Sequence, residues 1–159
     1  MNDLHSVYLS LGSDIRPEIH LRQGVKMLRD YGQVEAVSGV WQSHAVGSDG
    51  PDFLNACALF LSSMQPDDLK EQVLRPIESN LGRVRSADKN APRTIDLDIV
   101  LYDGTMLNTE FWAYAFVIVP LAELFPDFIH PVSREKLSRA AEQIQSRTWI
   151  LRREDVFIS

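Results

Sequence analysis

The chain has a single cysteine among 159 residues, which rules out a disulfide framework and any zinc site built on thiolates. It has no excess of basic charge: 16 Lys and Arg stand against 22 Asp and Glu, a formal net charge of −6. A surface of that sign repels nucleic acid and anionic membrane, so any anion site must come from a local cluster of cations. No apolar run approaches the length of a membrane span, and no basic stretch followed by an apolar segment opens the chain. Neither GxxxxGK[ST] nor GxGxxG occurs, which sets aside the common phosphate-loop and dinucleotide folds. The four histidines (His5, His20, His44, His130) lack metal-ligand spacing, and no Ser-His-Asp or Cys-His grouping stands out. These absences leave the expectation of a reduced, cytoplasmic protein that binds neither nucleic acid nor membrane.

What is present is enough apolar residue, 45% of the chain, for one sizeable core, in a length too short for two comfortable domains. The expectation is a single domain over 1–159. Ser6 to Leu11 reads as a strand ending at Gly12-Ser13. Pro17 opens a helix in which Leu21, Val25 and Leu28 recur at helical spacing until Gly32. Gln33 to His44, rich in β-branched residues, reads as one strand. His44 to Asp52 is a loop, and Phe53 to Leu61 is a third strand holding Cys57, a small core residue. Pro66-Asp67-Asp68 starts a second helix whose stripe is Leu69, Val73, Ile77 and Leu81, closed by Gly82. Ile95 to Tyr102 is the fourth strand. The order βαββαβ is that of an α+β, ferredoxin-like core, an antiparallel sheet with its helices on one face. A C-terminal extension follows, in which Phe116 to Val119 reads as a strand, Pro120 to Phe125 as a short helix and Arg134 to Gln145 as a terminal helix.

The chemistry concentrates at the fourth strand. Side chains alternate along a strand, so Ile95, Leu97 and Ile99 point one way while Asp96 and Asp98 point the other. Two carboxylates about 6–7 Å apart suit a hard cation such as Mg²⁺, which takes one or two carboxylates, waters and phosphate oxygens. Taken alone, the dipeptide equally fits a half-buried strand showing acids to solvent. The preceding segment tips the balance: Arg83, Arg85, Lys89 and Arg93 stand against one acid, Asp88, in an otherwise acidic protein. Guanidinium groups bind phosphate bidentately and stabilise its charge as it moves. Glu78, one turn before the end of the second helix, is placed to orient an arginine or touch the nucleotide. A second patch, Gly47 to Asn55, runs from a glycine-rich loop into Phe53 and Asn55, an aromatic face and an amide suited to a flat heterocycle.

The run Lys89-Asn90-Ala91-Pro92-Arg93-Thr94-Ile95-Asp96-Leu97-Asp98-Ile99-Val100 resembles the signature of the 6-hydroxymethyl-7,8-dihydropterin pyrophosphokinases of folate biosynthesis. Val7 to Ser13, Gly50 to Asn55, Ile77-Glu78, Leu81 to Arg85 and Phe116 to Leu121 are similar to that family as well, so the likeness runs to about residue 131. The resemblance implies the ferredoxin-like fold and pyrophosphate transfer from MgATP to the pterin's hydroxymethyl group. It implies two Mg²⁺ ions on Asp96 and Asp98, with Arg83 and Arg93 steadying the transferred group and Glu78, Arg85 and Ile99 at the nucleotide. Val46, Phe53, Asn55 and Phe116 would line the pterin slot, and pterin and ATP would be the only partners of a monomer.

The sequence also departs from the family. Residues 108–115 run straight into Phe116, with no counterpart of a family histidine and arginine; Tyr114 stands near the arginine's place. Asn90, Arg75 and Ala45 replace an aromatic, a glutamine and a proline respectively. Two alternatives follow from these departures: a relative that binds pterin or nucleotide without turnover, or a pyrophosphokinase for a different acceptor.

Overall fold

The computed structural model describes residues 3–46, 49–83 and 94–159. Arg85, Lys89, Asn90 and Arg93 lie outside them. The βαββαβ order holds. β1 (His5–Ser13) and α1 (Pro17–Tyr31) come first, and β4 (Phe53–Ser62) and β5 (Asp96–Tyr102) lie either side of β1, both antiparallel to it. The strand expected over Gln33 to His44 is in fact two, β2 (Gln33–Val37) and β3 (Val40–Ser43), which pair successive parts of β4. The break is Ser38-Gly39. Ser38 bonds to the Cys57 main chain through both its own N–H and its side chain, and a Cβ on Gly39 would overlap the Arg152 guanidinium.

The second helix is one rod in three parts: α2 (Pro66–Leu69), a π turn (Lys70–Leu74) and α3 (Arg75–Asn80). Pro76 has no N–H to donate to Gln72, and the wider i→i−5 turn just before it absorbs that defect. The π turn also explains the stripe spaced by four. A pure α-helix would drift round its axis over three such steps, whereas the wider turn keeps Leu69, Val73 and Ile77 buried on the sheet. These residues pack with α1 and with Val7, Leu9, Leu11, Leu97 and Phe60 on one face.

The other face is covered by the extension, and here the structure corrects the sequence reading. Phe116 to Val119 is no strand. It lies within α4 (Ala115–Leu124), with Pro120 inside the helix. α4 and α5 (Leu137–Gln145) pack Val117, Ile118, Leu121, Leu137 and Ala140 against Cys57, Val100 and Leu101. A one-residue bulge makes this possible. Leu9 pairs Ile99 but Tyr8 pairs Leu101, so Val100 has no partner on β1, and both Val100 and Leu101 join the α4-side core.

β5 turns through Asp103-Gly104, both at positive φ, into β6 (Thr105–Met106). A 3-10 turn (Thr109–Ala113) precedes α4. A further strand that sequence reading missed, β7 (Ile150–Arg153), extends the sheet beyond β3, giving the order β6-β5-β1-β4-β3-β7. After it the chain returns to the α1 face, where Val156 and Ile158 are buried and Arg22 donates to the Phe157 carbonyl. Each such buried aliphatic contributes about 2 kcal/mol. Among the described residues no helix is long and apolar enough to cross a membrane.

Candidate active site

The site begins with the end of α3. Gly82, at φ +87°, donates to the Ser79 carbonyl while Arg83 N–H donates to the Glu78 carbonyl. This is the paired closure of a helix by a left-handed glycine. It turns the chain so that the Arg83 side chain folds back beside the helix. One Arg83 nitrogen donates to Glu78 Oε2 at 2.9 Å and to Asp96 Oδ1 at 2.5 Å.

Glu78 is buried, 2% exposed. It accepts from Arg75 at 3.0 Å, from Arg83, and from the Leu97 N–H at 2.9 Å, tying the helix end to the backbone of β5. Burial pushes its carboxyl above the ordinary carboxylate range, against the opposing pull of the Leu97 N–H and Arg83. For Arg83 burial acts the other way, but the Asp96 and Glu78 carboxylates outweigh it and hold the guanidinium charged. A cleft of about 420 Å³ opens beside this cluster, lined by Glu71, Arg75, Glu78, Ser79 and Arg83, a volume within the range of small-molecule sites.

The strand register extends the cluster sideways. Gly12 on β1 is the register partner of Asp96 on one side and of Asn55 on the other. Asn55 in turn pairs Trp41 on β3, which pairs Arg152 on β7. One row on the α4 face therefore reads Arg152, Trp41, Asn55, Gly12, Asp96. The next row places Asp98 opposite Ser10 and Cys57. Asn55 is buried, and its amide nitrogen donates to the Trp41 carbonyl at 3.1 Å and to Ser43 Oγ at 2.8 Å. That orientation turns the amide oxygen to Gly12, where a Cβ would meet it at 3.4 Å and the Phe53 ring at 3.8 Å. Gly12 is thus a bare floor bordered by Phe53, Asn55 and Asp96. Sequence reading named three of these and missed Gly12, whose part depends on cross-strand register that no local pattern encodes.

The other expected residues are dispersed around this floor. Val46 is 64% exposed on the connection after β3. Ile99 packs its side chain against the α1-side core, leaving its main chain as what it can offer a nucleotide. Phe116 stands in the first turn of α4 with the Tyr114 ring stacked on it, centroids 5.3 Å apart and planes 11° apart. Trp112 turns away to Phe128, His130 and Glu135. Arg85 and Arg93 fall outside the described residues.

The donor set of Asp96 and Asp98 fits Mg²⁺ in kind, hard carboxylate oxygens of two aspartates on one face, although Arg83 occupies Asp96 Oδ1 and a metal would take the remaining oxygens. Among the described residues no group of three His, Cys, Asp or Glu side chains forms. The pair would therefore rely on water and phosphate for its remaining ligands, as Mg²⁺ commonly does.

Comparison with known proteins places the chain in a family. Residues 8–126 match the family model described as 7,8-dihydro-6-hydroxymethylpterin-pyrophosphokinase. A 2-amino-4-hydroxy-6-hydroxymethyldihydropteridine pyrophosphokinase of Bacillus subtilis is 34% identical over 161 residues, covering 94% of this chain and 92% of that protein. The enzyme of the same name from Synechocystis is 33% identical over 151 residues, covering 88% and 76% respectively. Among solved structures, the wild-type Plasmodium falciparum HPPK-DHPS with pterin and p-hydroxybenzoate superposes with TM-score 0.73 at 11% identity, covering 92% of this chain. This chain spans 44% of that longer protein, and the likeness speaks for the fold. The chain belongs to the 7,8-dihydro-6-hydroxymethylpterin-pyrophosphokinase family.

Proposed function

We propose that this chain, as one unit over residues 1–159, transfers pyrophosphate from ATP to the hydroxymethyl group of 6-hydroxymethyl-7,8-dihydropterin. The observation that carries the reading is the row Asn55, Gly12, Asp96. It sets an amide able to read a heterocycle's polar edge and a carboxylate pair able to anchor phosphates on one face, with a side-chain-free floor between them. The pterin lies across Gly12 with its edge on Asn55 and its ring between Phe53 and Phe116, Val46 closing the slot. Its hydroxymethyl oxygen forms a bond to the β-phosphorus and loses its proton. The bond from that phosphorus to the oxygen bridging the α-phosphate breaks, and AMP leaves with that oxygen.

Asp96 and Asp98 would hold Mg²⁺, two ions by the family resemblance, whose chemistry is to offset the charge of the polyphosphate. Arg83, held by Glu78, presents a fixed cation to the group in transit, with Arg93 beside it. Arg85, Glu78 and the Ile99 main chain serve the nucleotide next to the cleft of α3. Catalysis of this type consists of positioning and charge stabilisation, and the part-buried Glu78–Arg83–Asp96 chain supplies both. The setting is cytoplasmic, and the acting species is a monomer without nucleic acid.

AMP release from ATP, measured with and without hydroxymethyldihydropterin in wild type and Asp98→Ala, tests the reading. Pterin-dependent AMP in the wild type and its loss in the variant are expected. Wild-type protein releasing no AMP with Mg²⁺ and pterin present refutes the assignment. A second reading, binding without turnover, draws on Tyr114 stacked on Phe116 near the place of a family arginine. Calorimetric pterin affinity without AMP release would favour it.

A further inference from the structure

The family match ends at residue 126, yet residues from 149 onward reach back to the acceptor side of the site. β7 pairs β3 from Val40↔Arg153 to Ser43↔Ile150. Just before β7, the Trp149 ring stacks on His44, centroids 4.2 Å apart and planes 11° apart. His44 Nδ1 lies 2.9 Å from Asp52 Oδ1, and Gln42 donates to the other oxygen of the same carboxylate at 2.7 Å. Arg153 donates to the Gln42 side-chain oxygen at 3.0 Å. His44 follows β3 and Asp52 precedes β4, so these contacts close the base of the connection from which Phe53 and Asn55 emerge. Farther along β7, Arg152 donates to Glu123 of α4, the helix that carries Phe116. Glu123 also accepts from the Gly39 N–H at 2.9 Å and the Trp41 indole at 2.6 Å.

We infer that Trp149 and β7 brace the acceptor slot, making Trp149 and His44 positioning residues for acceptor binding; this rests on the function proposed above. The groups involved are half-exposed, His44 at 65% and Asp52 at 34% of their side chains. Contacts so open to solvent add little to global stability. They instead select one geometry for the ends of a loop, and the strand that begins at Phe53 inherits that geometry. The effect belongs to acceptor binding and leaves the phosphate machinery on β5, separated from β3 by β1 and β4, unaltered.

The test uses the full chain with Trp149→Ala, Trp149→Phe and His44→Ala. Trp149→Ala and His44→Ala should each raise the KM for hydroxymethyldihydropterin about tenfold while kcat and the KM for ATP stay within about twofold. Trp149→Phe, which keeps a stacking ring, should return the acceptor KM to within about twofold of wild type. In the ligand-free protein, exchange protection of the amides of 53–55 should fall about tenfold in Trp149→Ala while that of 7–11 is unchanged. An unchanged acceptor KM with unchanged protection at 53–55 overturns the brace. So does a parallel rise of both KM values with loss of protection at 7–11, which marks general destabilisation. Wild type releasing no AMP would sink the proposed function alone, since the exchange measurement still decides the brace.

Discussion

Two glutamates, Glu78 buried and Glu123 at the surface, show how neighbouring groups set opposite acid–base behaviour. Glu78 is pushed up by burial. Burial acts the same way on Glu123, but the Gly39 N–H, Arg152 and Trp41 outweigh it and hold that carboxyl low. Native Glu78 therefore keeps its proton to higher pH than the unfolded chain, and its contribution to stability falls as pH rises from about 4.5, the ordinary value. Glu123 contributes above its ordinary value, and that contribution is lost as pH falls. Denaturation midpoints across pH should show Glu78→Gln flattening the decline above about pH 4.5, and Glu123→Gln flattening the loss on the acid side. Glu78→Ala, which strands the Leu97 N–H and leaves Arg83 with Asp96 alone, should cost about 3 kcal/mol in a urea titration and abolish most AMP release. Gly12→Ala should leave the fold intact and raise the acceptor KM about tenfold, because the added methyl fills the floor beside Asn55. At this scale the sequence was legible where a side chain's direction is a property of its own strand. Asp96 and Asp98 were readable for that reason. An arginine partner for Glu78 was readable too, but the Leu97 N–H was not, since it is brought to Glu78 only by folding.

Elements were legible in proportion to their amphipathicity. α1 and the α2–α3 rod carry one apolar stripe each, and both were readable. α4 is apolar almost all round, packing against the sheet on one side and α5 on another. Periodicity cannot tell such a helix from a buried strand, and Val117, Ile118 and Val119 tilted the reading to strand. β7 is four residues long with two arginines, and its place is fixed by β3 and Glu123, so nothing local marks it. The clearest test of an element boundary is Gly82→Ala. Among the described residues no neighbour lies within 4 Å of an added Cβ, so the cost there comes from φ +87° and should be about 1 kcal/mol in melting. AMP release should fall more than this modest loss would suggest, because Arg83 follows directly.

The sheet, covered on both faces, puts Cys57 at its centre, 1% exposed, with burial pushing its thiol far above the ordinary range. A thiol reagent should label the native protein only at the rate of opening, and at once after denaturation; fast labelling of native protein would contradict the α4 cover. Fold class was legible from the order of elements, which local patterns do carry; the second cover layer was not, as it depends on how the extension docks. The row Arg152, Trp41, Asn55, Gly12, Asp96 has one more consequence. Its members are drawn from nearly the whole length of the chain and meet only when five strands are in register. A growing polypeptide on the ribosome can build the core of β1, β4 and β5 well before Arg152 emerges, but its acceptor slot stays unbraced until then. Ligand binding in a nascent chain should therefore mature late, after the metal-holding strand is already in place.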